Sequence, residues 1–136
     1  MSDRIFFDTN VLVYCYTETE PNKKSVAVEF AQSLDAWIST QVLQELSNTL
    51  RRKFGKEWTE VVGTLEEVCQ NFEVFTNLPD TLRDAIRIAD KYGYSLYDSL
   101  ILSSALVVGC KIVYSEDMQN GQVIDGRLTI VNPFLS

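Results

Sequence analysis

Four acidic residues stand at positions that ordinary surface charge does not explain well. Asp8 follows the apolar run Ile5-Phe6-Phe7 and opens Asp8-Thr9-Asn10. At the carboxyl end of a strand it would lie on the sheet edge where α/β proteins bind ligands. Asp98 heads a helical pattern in which Ile101, Leu102 and Ala105 lie over it at i+3, i+4 and i+7. A carboxylate heading an apolar stripe must be paired, neutralised or bound to a cation, because a lone buried ion is strongly destabilising. Glu45 sits on the flank of the stripe formed by Val42, Leu46 and Thr49. Asp117 comes just after the apolar run Ile112-Val113-Tyr114, with Glu116 as its neighbour and rival. Plainer roles exist for each: Asp8 could cap a helix, Ser95 to Asp98 is a capping-box pattern, Glu45 could be solvated and Asp117 could be a turn acid.

Taken together, acids after two strands, at the first turn of one helix and on the flank of another can converge on one sheet edge. Packed like charges need a counter-charge. One or two hard divalent cations, Mg²⁺ or Mn²⁺, supply it, because such ions take oxygen ligands and keep several waters. That chemistry is hydrolysis of a phosphodiester by metal-activated water. Ser115 and Thr9 add hydroxyls that could orient a carboxylate or a water on the metal. The chain has no histidine among its 136 residues, which removes the Ser-His-Asp triad, the Cys-His dyad, a histidine base and the usual zinc ligands.

The elements that must position these acids read as repeated βα units. Short apolar runs at 4–7, 36–38, 72–75, 111–114 and 128–131 alternate with longer helical patterns. The fold class expected is α/β, a three-layer α/β/α sandwich around a mainly parallel five-stranded sheet. Helices are expected over 22–34, with Val26, Ala27, Phe30, Ala31 and Leu34 inward, and around the stripe Val42, Leu46, Thr49, Leu50 and Phe54, stopped by Gly55. Another covers 58–71, with Val61, Leu65, Val68 and Cys69 on one face. The helix over 79–92 is expected to turn Leu82, Ile86 and Ala89 inward. The last, over 95–108, is apolar almost all round and should be largely buried.

Length, composition and the absence of repeats or linkers predict a single soluble domain over 1–136. Three cysteines without a CxxC pair fit a reducing cytosol, and no apolar run is long enough for a signal peptide or membrane span, so a cytoplasmic protein is expected. A net charge of −7 argues against nucleic-acid binding by blanket phosphate neutralisation, though not against a nuclease that carries metal ions. Arg51, Arg52, Lys53 and Lys56 follow the Glu45 helix, where they could hold an RNA backbone or simply complement the helix dipole. Trp37, Trp58 and Tyr97 read as core packing, with base stacking the alternative.

The segments Phe6 to Tyr14, Gln44-Glu45-Leu46, Tyr97 to Ile101 and Tyr114 to Met118, with the tail Ile130 to Phe134, resemble the PIN domain in order and spacing. The likeness is strongest to the VapC toxins of bacterial toxin-antitoxin pairs and covers essentially the whole chain. It implies a Mg²⁺- or Mn²⁺-dependent endoribonuclease with Asp8, Glu45, Asp98 and Asp117 as the acidic quartet and metal ligands. Thr9, Asn10 and Ser115 are implied as supporting residues, and Glu116 is a further candidate. It also implies an RNA substrate, a cognate VapB-like antitoxin and a homodimer. Asn120 stands where similar sequences often carry histidine, so the likeness implies no acid-base role there. Two other functions remain open on the sequence: a catalytically silent PIN-type binding or regulatory module, and an aspartyl-phosphate phosphatase with Asp8 as nucleophile. The latter usually wants a second Asp at position 10, where this chain has Asn10.

Overall fold

The computed structural model describes residues 3–33 and 35–135. β1 (Arg4–Phe7) leads into a short α1 (Thr9–Leu12) that tightens to a 3₁₀ turn over Val13–Tyr16. Next come α2 (Pro21–Ser33), β2 (Asp35–Ser39), α3 (Thr40–Arg52), α4 (Trp58–Asn71) and β3 (Glu73–Phe75). α5 (Pro79–Tyr92), α6 (Leu96–Val108), β4 (Ile112–Tyr114), β5 (Val123–Ile124) and β6 (Leu128–Val131) complete the chain. These elements follow the expected βα alternation closely. Leu34, expected to end the α2 stripe, lies outside the described residues.

The sheet has the order β3-β2-β1-β4-β6-β5, parallel throughout except for β5, which runs antiparallel to β6. Alternate residues of a strand face opposite sides of its sheet, and in β1 Ile5, Phe6 and Phe7 are all buried, so both sides are covered. The strand order reverses at β1 and β4. From β1 the chain builds outward through β2 to β3, whereas β4 continues the other way through β6. Crevices at such reversals, beyond the carboxyl ends of the strands, are where open α/β sheets hold ligands. Asp8 and Ser115 leave the sheet at this point, with the Asp8 amide still donating to the Tyr114 carbonyl at 2.9 Å.

The sheet has six strands where five were expected. The addition, β5, is made by a two-residue hairpin. Asp125 (φ 52°) and Gly126 (φ 67°) both take left-handed backbone, and the Arg127 amide closes the turn on the Ile124 carbonyl at 3.0 Å. Asp-Gly suits such a turn, whose twist matches that of the paired strands. Arg87 grips the Asp125 carboxylate at 2.6 Å and the Tyr92 hydroxyl accepts the Asp125 amide at 2.9 Å, tying the hairpin to α5.

α6 meets the expectation of burial, with Ile101 to Leu106 enclosed beside β1, β2, β4 and β6. α5 does not turn the face expected. Thr81, Ala85 and Ile88 are buried, while Leu82 and Ile86 are exposed. The reason is close approach: the buried Ser103 hydroxyl of α6 donates to the Thr81 carbonyl at 2.9 Å, and a small row seats against a small row. In α4, Val61 and Val68 are buried but Cys69 lies at the surface.

Candidate active site

The sheet edge above β1 and β4 opens into a cleft of about 720 Å³. Asp8, Glu45, Asp98 and Asp117 all line it, together with Thr9, Asn10 and Glu116. Four separate elements bring the acids there: Asp8 ends β1, Glu45 stands on α3, Asp98 in the first turn of α6 and Asp117 after β4. The pattern residues of α3 explain the placement of Glu45. Val42, Leu46 and Leu50 are fully buried, and this leaves the neighbouring row facing the cleft.

Asp8 is both a cap and a buried acid, so the two readings of its position coexist. Its Oδ1 accepts the Thr9 amide at 2.7 Å, while Oδ2 accepts the Ser115 hydroxyl at 2.9 Å and the Asn10 side-chain amide at 3.3 Å. The residue is 5% exposed. Burial pushes its carboxyl up to about 7, the Asp98 and Glu45 charges push the same way, and the Ser115 hydrogen bond works against them. Asp98 is likewise raised, by burial first and then by the charges of Asp117 and Glu45. These carboxylates therefore sense one another across the cleft.

The supporting residues have distinct tasks. The Thr9 hydroxyl donates to Glu45 Oε1 at 2.6 Å and so joins α1 to α3. Asn10 accepts the Glu116 amide at 3.1 Å while its own amide reaches Asp8, which fixes the loop after β4 against α1. Ser115 bridges Asp8 and the Met118 amide. Glu116 separates from the acidic quartet. Lys23 Nζ lies 2.5 Å from its Oε2 and the Tyr14 hydroxyl donates to Oε1 at 2.7 Å. Burial raises the Glu116 carboxyl, but Lys23 and Tyr14 outweigh it and hold the group below the usual range. Among the described residues, no Lys or Arg forms such an ion pair with Asp8, Glu45, Asp98 or Asp117.

A hard divalent cation fits this donor set: it is all oxygen, gathered, and lacks a fixed counter-charge. Among the described residues no three acidic or cysteine side chains form a ready-made cage. The arrangement is open, as suits an ion of the Mg²⁺ kind that keeps several waters and takes one or two carboxylates directly.

The basic cluster divides. Arg51 donates to the Lys56 carbonyl at 3.1 Å and stacks over Trp58, whereas Lys53 lines the cleft. Asn48 lines it too; lying at i+3 from Glu45, it could have been found from helical spacing. Tyr97 and Trp58, expected in the core, are 67% and 57% exposed. Trp37 is part-buried beneath the Arg4 guanidinium. Asn120 accepts the Asn132 amide at 2.7 Å and so holds the chain after β6.

A sequence profile described as the PIN domain matches residues 5–120. No curated protein sequence matches the chain. Among solved structures, VapC20 of Mycobacterium tuberculosis, described as a sarcin-ricin loop cleaving toxin, superposes with TM-score 0.69 at 18% identity, covering 83% of this chain and 89% of that one. A toxin-antitoxin complex from Klebsiella pneumoniae gives TM-score 0.71 at 18% identity, with 96% and 98% covered. VapBC2 of Rickettsia felis, bound to a DNA fragment from its promoter, gives 0.68 at 16%, with 95% and 99% covered. These likenesses show a shared fold, and the profile match spans most of the chain. With its acids gathered at the β1–β4 reversal, this chain belongs to the PIN domain family.

Proposed function

We propose that this PIN domain is a divalent-metal-dependent endoribonuclease and the toxin of a toxin-antitoxin pair. The observation that carries the proposal is Asp8: a carboxyl nearly enclosed at the strand reversal, facing two further acids without a cationic side chain to pair with it. Asp8, Asp98 and Glu45 would hold the ion, with Asp117 at the open side. A bound Mg²⁺ or Mn²⁺ supplies the positive charge that acidifies an attacking water and offsets charge on the phosphodiester. Thr9 and Ser115 orient Glu45 and Asp8 for that task. Glu116, engaged with Lys23 and Tyr14, braces the loop carrying Asp117.

The solved structures with this fold include a sarcin-ricin loop cleaving toxin and a toxin-antitoxin complex, which supports RNA as substrate and a VapB-like antitoxin as partner. A homodimer belongs to the same reading, and the exposed row of Leu78, just before α5, with Leu82 and Ile86 on that helix is apolar surface available to it. No helix among the described residues is long and apolar enough to cross a membrane. Purified protein incubated with RNA tests the proposal: cleavage is expected with Mg²⁺ or Mn²⁺ and none in chelator.

On this reading Lys53 contacts the RNA backbone beside the cleft, and Arg51 does not. Lys53→Ala should raise KM several-fold with little change in kcat. It should also flatten the salt dependence of binding by about 0.7 in the log-log slope, the value for one phosphate contact on a single strand. Arg51→Ala should leave that slope unchanged. Equal slopes for wild type and Lys53→Ala would remove Lys53 from the interface.

A further inference from the structure

Gln41 is a residue whose type and position give no hint of the site, yet it touches both helices that carry the site's acids. It lies in the first turn of α3 and is 6% exposed. Its side-chain nitrogen donates to Glu45 Oε2 at 3.3 Å, one turn along the same helix. The same nitrogen donates to the Tyr97 carbonyl at 3.0 Å, in the first turn of α6 immediately before Asp98. Its side-chain oxygen is buried without a partner.

Its two partners define which way the amide faces. Glu45 and the Tyr97 carbonyl are both acceptors, so only the NH₂ end can meet them, and the reverse orientation would set oxygen against oxygen. A buried polar atom left unsatisfied is destabilising and calls for a reason. The reason here is geometric: one amide group, with its two hydrogens, joins two elements whose acids repel each other. The backbone supports the joint. Asn77 accepts both the Gln41 amide at 3.2 Å and the Thr40 hydroxyl at 3.1 Å, and donates to Ser104 of α6 at 2.7 Å. α3 and α6 are thus tied at two levels, and Gln41 is the tie nearest the acids.

We propose that Gln41 is a positioning residue: by bridging Glu45 and the Tyr97 carbonyl it sets the gap between Glu45 and Asp98 that a divalent cation has to span. The proposal rests on the metal-site reading above. With Thr9 on Oε1 and Gln41 on Oε2, Glu45 is held on both oxygens, and its remaining lone pairs face a defined place. Loss of the bridge frees Glu45 to rotate and lets the α6 first turn move outward under the repulsion.

The test is Mn²⁺ binding to the purified protein, read by electron paramagnetic resonance of the free ion, in wild type and in Gln41→Met. Methionine keeps the length and helix preference and removes both donors. Partners of metal ligands commonly contribute roughly ten- to a hundredfold to affinity, so Gln41→Met should weaken Mn²⁺ binding by about tenfold. The Mn²⁺ concentration for half-maximal RNA cleavage should rise by the same factor, with the rate at saturating Mn²⁺ largely recovered. A variant with lower thermal stability but unchanged Mn²⁺ affinity would show a merely structural role and overturn the proposal. Should Gln41→Met fail to fold, the side-chain NH₂ resonances of Gln41 in wild type decide: they should shift on Mg²⁺ titration, and resonances that stay fixed overturn the proposal. A wild type that binds Mn²⁺ and cuts RNA beside an unaffected variant defeats only the role of Gln41. A wild type that does neither defeats the nuclease reading itself, and this inference with it.

Discussion

Asp8→Asn should sharply slow RNA cleavage and at the same time make the metal-free protein more stable at alkaline pH. The two effects have one cause. Burial, with the charges of Asp98 and Glu45 behind it, raises the Asp8 carboxyl from 3.8 to about 7. The folded chain therefore binds this proton more tightly than the unfolded chain does. Stability must fall as pH rises from about 4 to about 7 and stay low above that, because the unfolded chain releases the proton first. Each unit of such a shift is worth about 1.4 kcal/mol, so this group weakens the metal-free fold at pH 8 by up to about 4 kcal/mol. Asn carries no charge; its oxygen can still accept the Thr9 amide, while its NH₂, standing where Asp8 Oδ2 accepts, requires the Ser115 hydroxyl to turn and accept instead. Urea unfolding at pH 5 and pH 8 should show the wild type losing stability between the two values and Asp8→Asn losing much less. Mg²⁺ should restore wild-type stability at pH 8, by about 2.7 kcal/mol at a hundred times its dissociation constant, and do little for the variant. Cleavage should fall on the order of 10³-fold, about 4 kcal/mol of barrier. A variant that cuts at the wild-type rate would remove Asp8 from the chemistry.

Phe7→Ala should be the most damaging single change to the fold. Phe7 has no exposure, and its ring packs edge to face against Phe72 at 5.3 Å and Tyr114 at 5.6 Å. Removing a buried phenyl ring typically costs about 3–5 kcal/mol, against a total stability of about 5–15 kcal/mol for most domains. Phe7 directly precedes Asp8, so collapse around the cavity would also displace the acid at the strand end. Denaturant unfolding should give a midpoint lowered by that free energy divided by the slope, with the slope unchanged, and Phe7→Leu should recover most of the loss. A loss below about 1 kcal/mol would show that the site tolerates the cavity and that this packing does not hold the strand end.

Much of this is legible in the sequence itself, for physical reasons that differ between residues. Ile5-Phe6-Phe7 announces a strand covered on both sides, and an acid directly after it has few places to be except the ligand edge. Asp98 is legible in part: helical spacing sets Ile101, Leu102 and Ala105 on its row and all three are buried, while the carboxylate itself stands half-buried at the cleft. β5 was readable in principle: Asp125-Gly126 is a strong hairpin signal, but the two-residue strand before it is too short to show alternation. The facing of α5 was not readable. Its two apolar rows, Leu82 with Ile86 and Ala85 with Ile88, compete on hydrophobicity, and close packing against the serines of α6 decides for the smaller row. What distinguishes Glu116 from Asp117 is its ion pair with Lys23, whose position beside that loop depends on tertiary folding. Gln41 was invisible for the same reason, because its partner carbonyl lies 56 positions along the chain.

On the proposed reading these acids direct hydrolysis of RNA through a divalent cation. End-group analysis of RNA cut by the purified protein tests it most directly, with Mg²⁺ or Mn²⁺ present and again in chelator. Attack by water with the 3′ oxygen leaving gives 5′-phosphate and 3′-hydroxyl ends, formed only when the ion is present, and that is the expected result. Cleavage that persists in chelator, or products ending in 2′,3′-cyclic phosphate, would contradict it.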